Sequence, residues 1–350
     1  MRYLVFLSLC ALALYAATAE DVYKIYKTKG IDAVEAYLKS EFEPKEVKVV
    51  KELKKKEIKS KAKEPTGKEL QSKEYWAKQL KDIDVQLGYY EEAESLIVCE
   101  KDTKRCDVYK NNTDSLKLVK SHTAIMGKSG DKVKRGDLKT PVGVYEITKR
   151  FKPANQFYGP LAFSLSYPNM YDMVRGKSGD GIWIHGSPLD GKDRDDLSKG
   201  CVVLDNNTIL ELDTEINAND TIVIIGESKV QKVSKEMMSV ILSEVYKWQH
   251  AWKVNDLNGY LAFYSNDFRR SNGMNKKAFS EMKKGIFAKK ENKTIITENM
   301  SIVPYPTMDD KKLFKILYYQ TYKSPSFASK GEKELYVEII NNKISILAEK

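Results

Sequence analysis

The chain has little of what builds a metal centre: 350 residues contain 3 His and 4 Cys. One His and one Cys, with no further ligands clustered beside them, do not make a zinc site, which takes three or four such groups. No metal or cofactor is therefore expected. The same scarcity leaves a thiol-based enzyme few choices of base. Long apolar runs are lacking too. Leu4 to Ala16 is the one extended run, short for a bilayer span of about 20 residues, so no permanent membrane span is expected. Apolar residues as such are not scarce, at 42%, which excludes wholesale disorder.

What is present starts at the N-terminus. Arg2, the apolar run and Ala17-Thr18-Ala19 have the order of a cleavable secretory signal over residues 1–19. The exported mature chain is then expected to start near Glu20. Leu9 before Cys10, where a lipoprotein signal carries a small residue, argues against lipidation. The formal net charge of +10 fits an anionic partner, and export excludes nucleic acid as that partner.

The candidate chemistry lies between Ile182 and Leu204. An apolar run delivers His185 and Gly186, a polar loop follows, and Ser198-Lys199-Gly200-Cys201 leads into a second apolar run. This reads as two strands with an imidazole at the end of one and a thiol at the mouth of the other. A thiolate is a strong nucleophile, and a neighbouring His can take its proton and return it to a leaving amine. Gly200 permits close backbone approach, so the amides of Gly200 and Cys201 are candidate oxyanion donors. Acyl transfer is the chemistry this pattern proposes. His122, in a β-like run, and His250, in a helical one, read as structural.

His185-Gly186, followed after 16 positions by Cys201 in Ser198-x-Gly200-Cys201, resembles the signature of the L,D-transpeptidase catalytic domain, the YkuD-type fold. Thr140-Pro141-Val142-Gly143-Val144-Tyr145-Glu146-Ile147 is similar to that family's strand entry. Tyr167-Pro168-Asn169 together with Gly181 to Gly186 resembles a periplasmic branch that includes peptidoglycan L,D-carboxypeptidases of helical Gram-negative cells. The resemblance spans Leu96 to Gly226. It implies a mostly-β sandwich or barrel, with Cys201 attacking the carbonyl of the third stem-peptide residue and His185 shuttling the proton. It also implies peptidoglycan stem peptides as substrate. A backbone carbonyl, of Gly186 or a residue near it, is the expected orienting partner of His185, because no Asp or Asn is fixed by spacing. Ser198 either fixes the loop or touches substrate.

Two departures bear on the acceptor. Many transpeptidases carry His between the Ser and Gly of the signature and Arg two residues past the Cys; here those positions are Lys199 and Val203. Losing the Arg removes a bidentate carboxylate clamp. Arg175, Lys152 and Lys199 are the candidate substitutes. The expectation is an L,D-carboxypeptidase that removes the terminal D-Ala from tetrapeptides, with water as acceptor. The alternatives are an L,D-transpeptidase forming 3-3 cross-links and a non-catalytic wall-binding scaffold.

The remaining chain sets the domain plan: signal 1–19, helical segment with Lys-rich linker 20–85, catalytic domain 86–226 and a further domain 234–350. Residues 21–42 have helical spacing broken at Gly30, a hairpin that could pair with a second copy. Residues 45–68 hold ten Lys against four Glu, a charged connector. After a polar joint at 226–232, Met237 to Lys253 reads as a helix, and Asp256 caps a second helix running through Phe268. Antiparallel strands follow, the last pair joined by Asn341-Asn342 as in a type I′ hairpin. Trp248-x-x-x-Trp252 and Asp256 to Phe268 are similar to the opening of a nuclear-transport-factor-two-like (NTF2-like) domain. The fold class is thus α+β, multidomain.

Of the cysteines that remain after signal removal, Cys99 and Cys106 fall opposite each other if Asp102-Thr103 turns a hairpin. They are either bridged or buried and reduced. Cys201 is left odd, which flags a reactive thiol.

Overall fold

Two apolar runs without alternation, Leu96-Ile97-Val98-Cys99 and Ile222-Val223-Ile224-Ile225, lie at the centre of the molecule because both of their faces are covered. The computed structural model describes residues 65–350 apart from 93, 113, 192–194 and 310. The expected signal, the helical pair at 21–42, most of the Lys-rich linker and any pairing of copies through them lie outside the described residues. Gly67 to Lys350 form one compact unit.

In chain order the elements begin with helices α1 (Gly67–Leu70) and α2 (Lys73–Gln79) and strands β1 (Tyr89–Tyr90), β2 (Glu94–Glu100), β3 (Arg105–Asn111), β4 (Leu116–Thr123), β5 (Gly143–Phe151) and β6 (Ala162–Leu165). Helix α3 (Met170–Val174), β7 (Trp183–His185), β8 (Val202–Val203), α4 (Asn206–Glu215) and β9 (Thr221–Gly226) complete the first domain. The second contains α5 (Lys235–Lys253), α6 (Leu257–Leu261), β10 (Tyr264–Arg270), α7 (Lys276–Ala288), β11 (Thr294–Tyr305), β12 (Leu313–Ser324), β13 (Phe327–Ile340) and β14 (Lys343–Glu349). None of these helices is long and apolar enough to cross a membrane.

The catalytic-domain sheet has eight strands in the order β4-β3-β2-β9-β5-β6-β7-β8. Just past β4, Ile125 exchanges two backbone hydrogen bonds with Val203 of β8, at 2.9 and 2.8 Å. First and last strands therefore meet, and the sheet closes towards a barrel, as the sequence led us to expect. Ile97, Cys99, Tyr145, Ile147, Val223 and Ile225 point into the barrel core. Leu96, Val98, Val144, Ile222 and Ile224 point outward and pack against Val303, Tyr305, Leu313, Tyr336 and Ala348 of the second domain. The covered outer face is why these strands are apolar throughout.

In the second domain the six-stranded sheet has the order β1-β11-β12-β13-β14-β10. Its apolar face cradles α5, whose Met238, Ile241, Leu242, Val245 and Trp248 are buried. Asn341 and Asn342 have φ of 51° and 60° between paired Ile340 and Lys343, the two left-handed residues that a type I′ hairpin needs. Two expectations are corrected. Asp256 does cap a helix, its side chain accepting from Gly259 N–H, but that helix ends at Leu261 and Tyr264 to Arg270 form a strand parallel to β14. Residues 67–85, expected to belong to the N-terminal segment, fold in one unit with the two later domains, and residues 86–90, expected in the catalytic domain, include a strand of the second domain's sheet. The Trp76 ring of α2 stacks on Tyr246 of α5 at 5.5 Å, and β1 pairs with β11.

Candidate active site

β7 is held between β6, antiparallel, and β8, parallel. The β7–β8 register pairs Ile184 with Val202 and His185 with Val203. Directly paired residues share a face, as do residues two apart along a strand. His185 and Val203 therefore share a face, and Cys201 precedes Val203 by two residues, in the bend that leads into β8.

His185 is fully buried, and its Nδ1 lies 2.7 Å from the Gly186 carbonyl oxygen. A carbonyl can only accept, so Nδ1 carries the proton, and Nε2 is the nitrogen that can act as the base. The ring is held edge-on by Tyr158, with centroids 5.0 Å apart. Tyr158 also meets Trp183, which meets Phe151, each at 5.0 Å. Tyr158 thus covers one side of the imidazole, backed by Trp183 and Phe151 in turn. Gly186 is glycine for lack of room: a Cβ there would fall 2.5 Å from Asn206 Oδ1 and 2.9 Å from Pro160 Cδ.

Cys201 occupies the bend that enters β8 and is half-buried, its Sγ 3.5 Å from the Gly181 carbonyl oxygen. The bend is built by Ser198. Its hydroxyl donates to the Cys201 carbonyl oxygen at 2.5 Å and accepts from Gly200 N–H at 3.1 Å. Ser198 thus fixes the loop. One expectation changes as a result. The Gly200 amide is committed to Ser198, so of the two amides named as oxyanion donors Cys201 N–H is the remaining candidate. Gly200 has φ +129°, and a Cβ there would lie 2.9 Å from the Lys139 carbonyl oxygen.

The other named residues are scattered. Lys199 is exposed beside Gly200, and Lys152 is exposed one residue past β5. Arg175 caps α3 on the side of the second domain: its charge acts on Tyr171, as does that of Lys311, and Tyr171 stacks on Tyr336 at 5.0 Å. Cys99 and Cys106 are paired across β2 and β3 and form a disulfide. His122 is buried with Nε2 3.7 Å from Glu215. Sequence reasoning did not single out Tyr158, Trp183 or the Lys139 carbonyl. Tyr158 comes from a 3₁₀ turn at Gln156–Tyr158 and the Lys139 carbonyl from a long loop, neither of which has a periodicity to read, while Trp183 opens β7.

A closed eight-stranded sheet presenting His at the end of one strand and Ser-x-Gly-Cys at the start of its parallel neighbour defines an enzyme of the L,D-transpeptidase type. Residues 94–225 match the L,D-transpeptidase catalytic domain, and residues 240–350 match the Cds6 C-terminal NTF2-like domain. The chain belongs to this family, in the two-domain form shared with the helical cell shape determining protein Pgp2 from Campylobacter jejuni. The crystal structure of Pgp2 is similar at 36% identity and a TM-score of 0.76, over 80% of this chain and 99% of that one. A point mutant of Pgp2 aligns at 35% identity and 0.79, over 82% and 100%. Bd1075 from Bdellovibrio bacteriovorus aligns at 28% identity and 0.62, over 77% and 97%. No curated protein matches.

Proposed function

We propose that this protein is a periplasmic L,D-carboxypeptidase that trims peptidoglycan tetrapeptides and thereby influences cell shape. The observation that supports the reading is the parallel β7–β8 register, which pairs His185 with Val203, two residues after Cys201. Nε2 of His185 takes the proton from Cys201 Sγ, and the thiolate attacks the carbonyl carbon of the third stem residue. The C–N bond to the terminal D-Ala breaks, and the imidazolium gives its proton to the departing amine. A thioester to the tripeptide remains on Cys201. Water, deprotonated by the same imidazole, opens it and frees the acid and the thiol. The developing oxyanion faces the Cys201 amide, a contribution of about 3 kcal/mol in comparable sites.

Water rather than an amine is the acceptor we favour, because Val203 stands where an Arg clamp would hold an incoming carboxylate. Val203 is buried, with both its backbone groups bonded to Ile125, and offers no side-chain donor. Likeness to a helical cell shape determining protein supports the link to cell shape. The test is digestion of purified muropeptides followed by mass spectrometry. Tripeptide monomers and free D-Ala are expected; accumulation of new cross-linked dimers in their place would refute hydrolysis and leave the transpeptidase reading.

A further inference from the structure

The polar interior of the catalytic domain contains a group supplied by the other domain. Tyr305, the last residue of β11, is buried, and its hydroxyl accepts from Asn169 Nδ2 at 3.0 Å and donates to Asp172 Oδ1 at 3.4 Å. Asp172 is fully buried on α3. It also accepts from Tyr145 Oη at 3.1 Å, from Asn169 N–H at 3.2 Å and from Lys177 Nζ at 2.8 Å. Lys177 continues the chain to Asp131 at 2.5 Å, and Asp131 accepts from Val142 N–H at 2.9 Å. The Tyr305 hydroxyl also comes so close to Gly143 that a Cβ there would lie 2.5 Å from it.

This chain of bonds ends in the two segments that flank the reactive thiol. Asp131 and Val142 bracket the loop whose Lys139 carbonyl abuts Gly200, and Met126, just before that loop, accepts from Ser198 N–H at 2.9 Å. Lys177 opens the segment that leads to Gly181, whose carbonyl faces Cys201 Sγ. That segment is tied to the same loop by Ser178 N–H donating to the Val133 carbonyl at 2.9 Å. A buried ion pair fixes geometry only when every member is satisfied. Here the second domain supplies one of the members.

We propose that Tyr305 is a positioning residue for Cys201, so that the C-terminal domain is part of the catalytic machinery and not only an appended module. Tyr305 orients Asp172; Asp172 and Asp131 hold Lys177; the two anchored segments then set the backbone on both sides of the thiol. The proposal rests on the reading of Cys201 as nucleophile, but its first readout needs no substrate.

The experiment compares Tyr305→Phe, which keeps the ring packing and removes the hydroxyl, with Tyr90→Phe in the full chain. Tyr90 lies in the same interdomain core, and among the described residues its hydroxyl bonds the Leu87 carbonyl alone, at 2.7 Å. The rate of Cys201 alkylation by iodoacetamide is followed on the Cys201 peptide by mass spectrometry, beside the thermal midpoint. Tyr305→Phe is expected to slow alkylation about tenfold and to lower kcat on tetrapeptide similarly with KM unchanged, whereas Tyr90→Phe leaves both near wild type. Adding Lys177→Met to Tyr305→Phe should slow it little further, since both act through one network. An alkylation rate for Tyr305→Phe at or above wild type, or an equal loss in both Tyr→Phe variants, overturns the proposal. Wild-type enzyme that alkylates normally and leaves tetrapeptide intact would instead count against the carboxypeptidase reading alone.

Discussion

At the scale of single residues the site depends on glycine where a side chain has no room. Gly200 combines a left-handed φ with a carbonyl 2.9 Å from its missing Cβ and Ile182 Cδ1 at 3.2 Å. Gly200→Ala is therefore expected to lower stability by about 1–3 kcal/mol through backbone strain and to lower kcat at least tenfold by shifting Cys201. Chemical denaturation and steady-state kinetics on tetrapeptide check the two parts. Wild-type kcat in this variant would show that the bend tolerates a Cβ and does not set the thiol. These residues stood out in the sequence because they fall in two short blocks, His185-Gly186 and Ser198 to Cys201, each beside an apolar run. The hydrogen bond from Gly200 N–H to the serine two residues earlier was not legible, because it depends on the conformation of the bend. Arg175 ends α3, whose Tyr171 stacks on Tyr336 more than a hundred residues later in the chain, a neighbourhood that local sequence does not reveal.

At the scale of elements, legibility followed pattern. The β2–β3 hairpin was readable because its turn fixed the register that sets Cys99 opposite Cys106. The Asn341-Asn342 hairpin was readable because two asparagines tolerate positive φ. The misplaced end of the helix after Asp256 has a physical cause. Tyr260, Tyr264 and Phe268 repeat at four-residue spacing, yet all three are buried in one aromatic cluster, Tyr260 from a helix and the other two from a strand. Spacing alone does not separate these cases. Strand β6 escaped notice for the opposite reason. It is only Ala162 to Leu165, too short to alternate, and is defined by its neighbours β5 and β7.

At the scale of the whole molecule, the interface between the domains is a continuation of their cores and has polar groups set into it. Lys315 of β12 is fully buried between Glu146 of β5, at 2.5 Å, and Glu334 of β13, at 3.1 Å. Glu94 at the start of β2 accepts from Ser301 Oγ at 2.6 Å, while its other oxygen is buried and has no hydrogen-bond partner among the described residues. Burial pushes the Glu94 carboxyl up to about 7, against the Ser301 hydrogen bond, which lowers it. A carboxyl raised from 4.5 in the unfolded chain binds its proton more tightly when folded. Its contribution to stability is therefore most favourable below about pH 4.5 and declines as pH rises to about 7. Glu94→Gln removes that decline. It should raise the thermal midpoint at pH 8, by an amount on the order of 2–3 kcal/mol in stability, and have little effect at pH 4.5. A variant less stable than wild type at pH 8 would show that the ionised carboxylate is satisfied in the interface.

The central claim, that the reaction passes through an acyl group on Cys201, is tested most directly by quenching the enzyme in acid during turnover of a defined tetrapeptide and weighing the protein. The account predicts an added mass equal to the tripeptide acyl group, located by digestion to the peptide containing Cys201 and absent, together with D-Ala release, from Cys201→Ala. Release of D-Ala by Cys201→Ala, or steady turnover with no adduct on that peptide, would contradict it.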